Sequence, residues 1–165
     1  MRAPMFKNAV RWFSFACALA VMAAIFWFSS KSGEASGLQS QSFTERVMAA
    51  FLPYFNRLGE AERAELVGRY SPLLRVAAHF GLFSLLGLFC GAFSLTLKGK
   101  KAALSLYAFS FCLLYALSDE VHQIFVEGRA FELSDLGVDA LGALAGICAA
   151  LLSYYIYRGK KKRLT

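Results

Sequence analysis

Four long apolar runs constrain this chain more than any other feature. They extend from Trp12 to Phe28, from Leu73 to Leu97, from Ala102 to Leu117 and from Leu136 to Tyr157. A helix crosses the hydrocarbon with about 20 mostly apolar residues. The second and fourth runs reach that length alone. The first reaches it with Ser29 and Ser30, and the third with Ser118 and Asp119. Lipid offers the backbone no hydrogen-bond partner, so each run must be helical. Period-2 alternation is absent, which disfavours a transmembrane β-barrel. The expected fold is an all-α integral membrane four-helix bundle, one domain over 1–165, with spans at about 10–30, 73–97, 102–119 and 136–157.

Composition agrees. Hydrophobic residues make up 58% and charged residues 18%, against roughly 25% charged in soluble domains. A chain this short cannot bury so much apolar surface in a core of its own. The net charge of +7 would suit nucleic acid, but the distribution of the charges points to a membrane and to no nucleic-acid partner. Arg2, Lys7 and Arg11 precede the first run. Lys98, Lys100 and Lys101 lie between the second and third. Arg158, Lys160, Lys161, Lys162 and Arg163 follow the fourth. Those segments hold eleven of the 18 basic residues, while all 11 acidic residues lie in or beside the other two connections. The Lys/Arg bias of short loops sets orientation. The expectation is therefore a multi-pass protein of the bacterial cytoplasmic membrane, with both termini cytoplasmic and both acidic connections outside. A signal peptide also opens with basic residues, but this first apolar stretch exceeds the ~7–15 residues of an h-region and no small-x-small site follows it. A retained helix is expected. The basic tail reads as a topology anchor that touches anionic lipid.

The connection 31–72 carries an extracytoplasmic helical insertion. Ser32 to Gln41 reads as a loop. Phe43, Val47 and Phe51 recur at i, i+4, i+8 and predict an amphipathic helix on the membrane surface, stopped by Pro53. Gly59 to Val67 predicts a short soluble helix, and Ser71-Pro72 an N-cap with proline at N1 that starts the second span. The alternative for this insertion is a lid over an outer-face site. Cys17, Cys90, Cys112 and Cys148 fall one per span without CxxC spacing. They read as small buried apolar residues and imply neither disulfide nor zinc. Gly87-x-x-x-Gly91 and Gly142-x-x-x-Gly146 predict close helix packing inside the bundle.

Ionisable residues at the membrane boundary are functional candidates by default. Arg75 and His79 are four apart at the start of the second span. Tyr115, Asp119, His122 and Gln123 form one stripe if the third helix continues. Asp135 and Asp139 open the fourth helix on the stripe of Gly142 and Gly146, and Arg129 sits in the loop before it. Two histidines with carboxylates can serve as general acid and base near neutral pH. Arg75 and Arg129 can clamp phosphate. His79, His122, Asp119 and Asp139 could ligate a metal, but the spacing lacks a metalloenzyme pattern, so no metal or other cofactor is assigned. A purely structural alternative pairs Arg75 with Asp139 and His79 with Asp119.

The run Asp119-Glu120-x-His122-Gln123-x-Phe125-Val126-x-Gly128-Arg129, followed by Asp135-x-x-x-Asp139-x-x-Gly142, resembles the signature of VanZ-like membrane proteins. Arg75-x-x-x-His79-Phe80 with Leu86-Gly87 resembles a second motif of that family, and Ser29-Ser30-x-Ser32-Gly33 a third. The resemblance covers roughly Trp12 to Ala150, and residues 38 to 70 carry no family motif. Two positions depart: Glu127 stands where many members have proline, and Leu82 where many have an acidic residue. The founding member is associated with low-level resistance to teicoplanin, so the resemblance implies a link to glycopeptide tolerance. Some members are labelled phosphotransbutyrylases, but nothing here looks like a soluble acyl-phosphate or coenzyme A site.

Two functional readings follow. In the first, the protein binds an anionic lipid or a lipid-linked wall intermediate through Arg75, Arg129, Gln123, Asp135, Ser29 and Ser30. In the second, it is an intramembrane enzyme that uses His79, His122, Asp119, Glu120 and Asp139 for acid–base hydrolysis or transfer. The first is favoured, because no covalent nucleophile or catalytic motif is present. A channel or transporter is weaker still, because the polar residues cluster at one face. The oligomeric state is left open by the sequence.

Overall fold

The computed structural model describes residues 2–163, with side chains from Lys7 to Lys160. It is all-helical. The elements are α1 (Arg2–Ser29), α2 (Gly33–Phe51), a 3-10 turn (Phe55–Arg57), α3 (Glu60–Leu95), α4 (Lys101–Gln123) and α5 (Leu133–Arg163). Four segments, Lys7–Ser29, Glu60–Leu95, Lys101–Gln123 and Leu133–Lys160, are long and apolar enough to cross a membrane. The side chains of Arg2, Lys161, Lys162 and Arg163, read above as topology anchors, lie outside the described residues.

The bundle is organised around α3 and α5, which run parallel in direct backbone contact. A Cβ at Gly87 would overlap the Ala143 carbonyl, one at Gly142 the Phe80 carbonyl, and one at Gly146 the Ser84 carbonyl. Only glycine permits that approach, and in lipid such van der Waals contact is what holds helices together. The predicted internal packing of both Gly-x-x-x-Gly pairs is what the structure contains. α1 and α4 complete the bundle, and Ala18, Ile25, Phe83, Leu86, Cys112, Ala116 and Ala143 form the apolar core. Of the other cysteines, Cys17 and Cys90 are half-buried and Cys148 is exposed. The expectation of four buried cysteines holds fully only for Cys112, because the bundle is too thin to cover every helix face.

The basic segments share one end. Arg11 donates to Thr96 Oγ1 at 3.1 Å and to its carbonyl at 3.2 Å. Lys101 caps the end of α3 through the Leu95 and Leu97 carbonyls and lies over the Tyr154 ring of α5.

Two expectations are corrected in the connection. Residues 33–41 are helical, not a loop: Ser32 Oγ caps the Ala35 N–H, and Ser40 and Thr44 return their hydroxyls to carbonyls one turn back. Polar content misled because small hydroxylated residues suit a closely packed helix as well as a loop. Second, the helix predicted at Gly59 to Val67 and the second span are one helix of 36 residues, about 54 Å at 1.5 Å per residue. Pro72 lies inside it rather than at N1. Losing one backbone donor costs stability, but packing holds the segment on either side: before Pro72, Val67 joins Met48 and Phe55 in a second apolar cluster and Ser71 is buried, and after it the backbone at Phe80 and Ser84 meets α5. The expected helix over Phe43 to Phe51 is the second half of α2, which turns Thr44 and Met48 inward and leaves Phe43 and Phe51 exposed. The remaining ends differ by a few residues: α4 continues to Gln123 and α5 starts at Leu133.

Replacing Gly146 with alanine drives a methyl into the α3 backbone and should destabilise the fold by about 1–3 kcal/mol. Gly137→Ala, where nothing lies within 4 Å, should be neutral or stabilising by up to about 1 kcal/mol. Thermal unfolding of both variants in detergent checks the contrast.

Candidate functional site

The register of α3 on α5 sets the first element of the site. Gly142 meets the Phe80 carbonyl. Asp139, one turn earlier on α5, therefore stands beside His79, one residue earlier on α3. His79 Nδ1 is 3.3 Å from Asp139 Oδ1. Asp139 is 0% exposed, and neither of its oxygens has a well-aligned hydrogen bond among the described residues. Burying a carboxylate without full compensation is costly. The imidazole is its charge complement.

The second element is a seam between the end of α1 and the loop after α4. The Gly33 N–H donates to the Glu127 carbonyl at 2.9 Å. A Cβ on Gly33 would overlap the Gly128 carbonyl, and Gly128 has φ 71°, a left-handed conformation that favours glycine. Arg129 is thereby turned inward. Its guanidinium donates to the Lys31 carbonyl, to Gln123 Oε1 and to the Phe28 carbonyl at 3.2 to 3.4 Å, so it caps the C-terminal end of α1. Gln123 Nε2 donates to Asp119 Oδ2 and to Glu120 Oε1, both at 3.3 Å. Ser29 donates to Asp119 Oδ2 at 2.8 Å. Glu120 accepts the Glu132 N–H at 2.8 Å and so ties α4 to the start of α5. Burial pushes the Arg129 guanidinium below its ordinary pKa, and Arg75 adds to that push. Asp119, Asp135 and Glu120 oppose it. Its ordinary value is so high that it stays charged.

A cavity of about 240 Å³ opens beside these elements. Its polar lining is Ser29 from α1, Ser36, Gln39 and Ser40 from α2, Arg75 and His79 from α3, and Arg129. Ile25, Phe28, Phe43, Leu74, Ala78, Leu82 and Phe83 supply apolar walls. Among the described residues no carboxylate lines it. Arg75 has no hydrogen-bond or ion-pair partner among the described residues.

The candidates thus separate into three groups. Arg75, His79, Arg129 and Ser29 meet at the cavity. Asp119, Glu120 and Gln123 are buried behind it in the hydrogen-bonded seam. His122 lies apart: it stacks on Phe26 with ring centroids 4.9 Å away and contacts Ser30 Oγ at 3.3 Å. Ser30 itself donates to the Phe26 carbonyl. Asp135 is half-buried near the mouth of α5. The stripe Tyr115, Asp119, His122 and Gln123 does form, and it faces α1: Tyr115 donates to the Met22 carbonyl at 2.7 Å. Neither pair of the purely structural alternative forms: His79 takes Asp139, and Asp119 takes Ser29 and Gln123. No three His, Cys, Asp or Glu side chains converge as a metal would require among the described residues.

The family model for VanZ/LLP1 matches residues 14–155. The chain belongs to the VanZ/LLP1 family. No curated protein and no solved structure matches it. The VanZ/LLP1 match spans every candidate residue named above. The motif positions of this VanZ/LLP1 chain now have physical roles: Ser29, Gly33, Asp119, Gln123, Gly128 and Arg129 build the seam, and His79, Asp139 and Gly142 build the dyad. Sequence reasoning missed Ser36, Gln39, Ser40 and Phe43 as lining residues. Their only signal was their spacing at i, i+3, i+4 and i+7, one face of a helix.

Gln123→Leu removes the bridge between Asp119, Glu120 and Arg129 and leaves buried polar groups unpaired. A loss of about 1–3 kcal/mol is expected, read as a lower unfolding temperature in detergent.

Proposed function

We infer that this protein binds an anionic lipid, or a lipid-linked cell-wall intermediate, in the cavity beside Arg75. One observation carries this reading: Arg75 and Arg129 converge on a single cavity whose lining holds no carboxylate. Guanidinium groups match phosphate with paired, charge-assisted hydrogen bonds. The apolar half of the same lining suits the adjoining chain of an amphiphile. Pockets that combine apolar walls with a few convergent polar groups are the usual form of ligand sites.

The orientation proposed is both termini in the cytoplasm of a bacterium and the cavity at the outer boundary of the cytoplasmic membrane. It is supported by Arg11, the Lys98–Lys101 turn and Arg158 gathering at the end opposite the cavity, as the positive-inside bias requires. At that boundary the site would meet wall precursors on the side where glycopeptides act. Holding such a precursor is how this protein would bear on teicoplanin tolerance. The exposed Phe43 and Phe51 of α2 suit a helix resting in the interface beside the cavity mouth.

Arg75→Ala should weaken binding of phosphatidylglycerol by about 10- to 100-fold, as expected for a lost charge-assisted hydrogen bond of about 1.5–3 kcal/mol. Lipid retained by the purified protein, measured by mass spectrometry, checks this. Competition by inorganic phosphate, run in parallel, separates a lipid site from a simple phosphate site. Equal retention by Arg75→Ala and wild type would refute the reading.

A further inference from the structure

His79 and Asp139 have a geometry that anion binding alone does not require. A third cation would hold phosphate better without a buried carboxylate behind it. Here Asp139 is fully buried, faces Nδ1 of His79 at 3.3 Å and has no better hydrogen-bonding partner among the described residues. With Nδ1 turned to Asp139, Nε2 is the ring nitrogen left to serve the cavity that His79 lines. A carboxylate at one ring nitrogen fixes the tautomer in which the other is a base. His122 is engaged with Phe26 and Ser30 and does not line the cavity, so one imidazole faces it.

That single imidazole limits the chemistry. An alcohol leaving group needs a proton from a general acid, and apart from His79 the lining offers only guanidiniums, hydroxyls and an amide. A phosphate leaving group needs no such acid, because it departs as a stable anion. Arg75 and Arg129 are placed to stabilise it. Phosphoryl transfer asks a protein mainly for positioning and charge. Two fixed cations also match the charge of a diphosphate better than that of a phosphodiester.

We propose that the cavity hydrolyses the phosphoanhydride bond of a lipid diphosphate, with His79 as general base and Asp139 as its positioning residue. The proposal rests on the anion-binding reading above. A water oxygen forms the new bond to the terminal phosphorus, and its proton passes to His79 Nε2. The bond from that phosphorus to the bridging oxygen breaks, and the bridging oxygen keeps the electron pair. The products are inorganic phosphate and the lipid monophosphate, and His79 returns its proton to solvent.

The test gives farnesyl diphosphate to the full-length protein in mixed micelles and measures bound ligand and released phosphate in parallel. Wild type should bind and release phosphate. His79→Gln should bind but turn over about 100-fold more slowly or less; its retained binding shows that it is folded. Asp139→Asn should slow turnover and displace the acid limb of the pH–rate profile, which a merely structural role would not move. The charged groups facing His79 are Asp139 and Asp135 of α5 and Arg75 of α3, with Arg129 in the same lining. Binding by wild type without phosphate release, or an unchanged rate in His79→Gln, overturns hydrolysis and leaves the binding reading standing. An acid limb in Asp139→Asn that superimposes on wild type overturns the role of Asp139. No binding by wild type overturns both readings together.

Discussion

The contact of one helix backbone with another, between α3 and α5, is the constraint on which the rest of this molecule depends. Gly87, Gly142 and Gly146 bring the main chains together without intervening side chains. Such a contact fixes register to within one residue, because any slip would place a larger side chain against a carbonyl. Register in turn decides which residue meets His79. A carboxylate in that place would be intolerable without a partner. The packing energy of the glycine seam therefore sustains an arrangement that electrostatics alone would disfavour.

A second constraint adds to the first. The tight turn at Gly33 and the left-handed Gly128 lock the end of α1 to the loop before α5. Arg129 serves both sides of this lock. It donates to the Lys31 and Phe28 carbonyls at the end of α1, and it presents charge to the cavity. The acidic residues Asp119 and Glu120 are consumed in building the lock, which explains how a site rich in carboxylates presents a lining without any.

The spans and the packing glycines were legible in the sequence because lipid leaves a chain few choices. Twenty apolar residues must be helical, and a small-residue stripe must face a neighbour. His79 and Asp139 were legible as candidates for the same reason, since a charge in such a helix is conspicuous. Their pairing was not. Arg75 and His79 share one face of α3, and Asp139 could have met either; only the crossing point of Gly142 on Phe80 decides. The helical state of Gly33 to Gln41 was hidden because composition speaks of exposure to water, while helix formation there depends on a capping serine and on a neighbour 95 residues from Gly33, Gly128. Pro72 misled in the opposite direction: a signal that normally opens a helix was overruled by tertiary packing on both sides.

The unbroken α3 has a mechanical consequence. Its tip carries the α2 platform through Met48, Phe55 and Val67, and its body carries Arg75 and His79. Pro72, the position where the rod lacks an amide donor, separates the two. Flexure there would move the α2 wall with Ser36, Gln39 and Phe43 relative to His79, which Asp139 of α5 holds. The cavity would then widen on its α2 side while the paired imidazole and carboxylate kept their place.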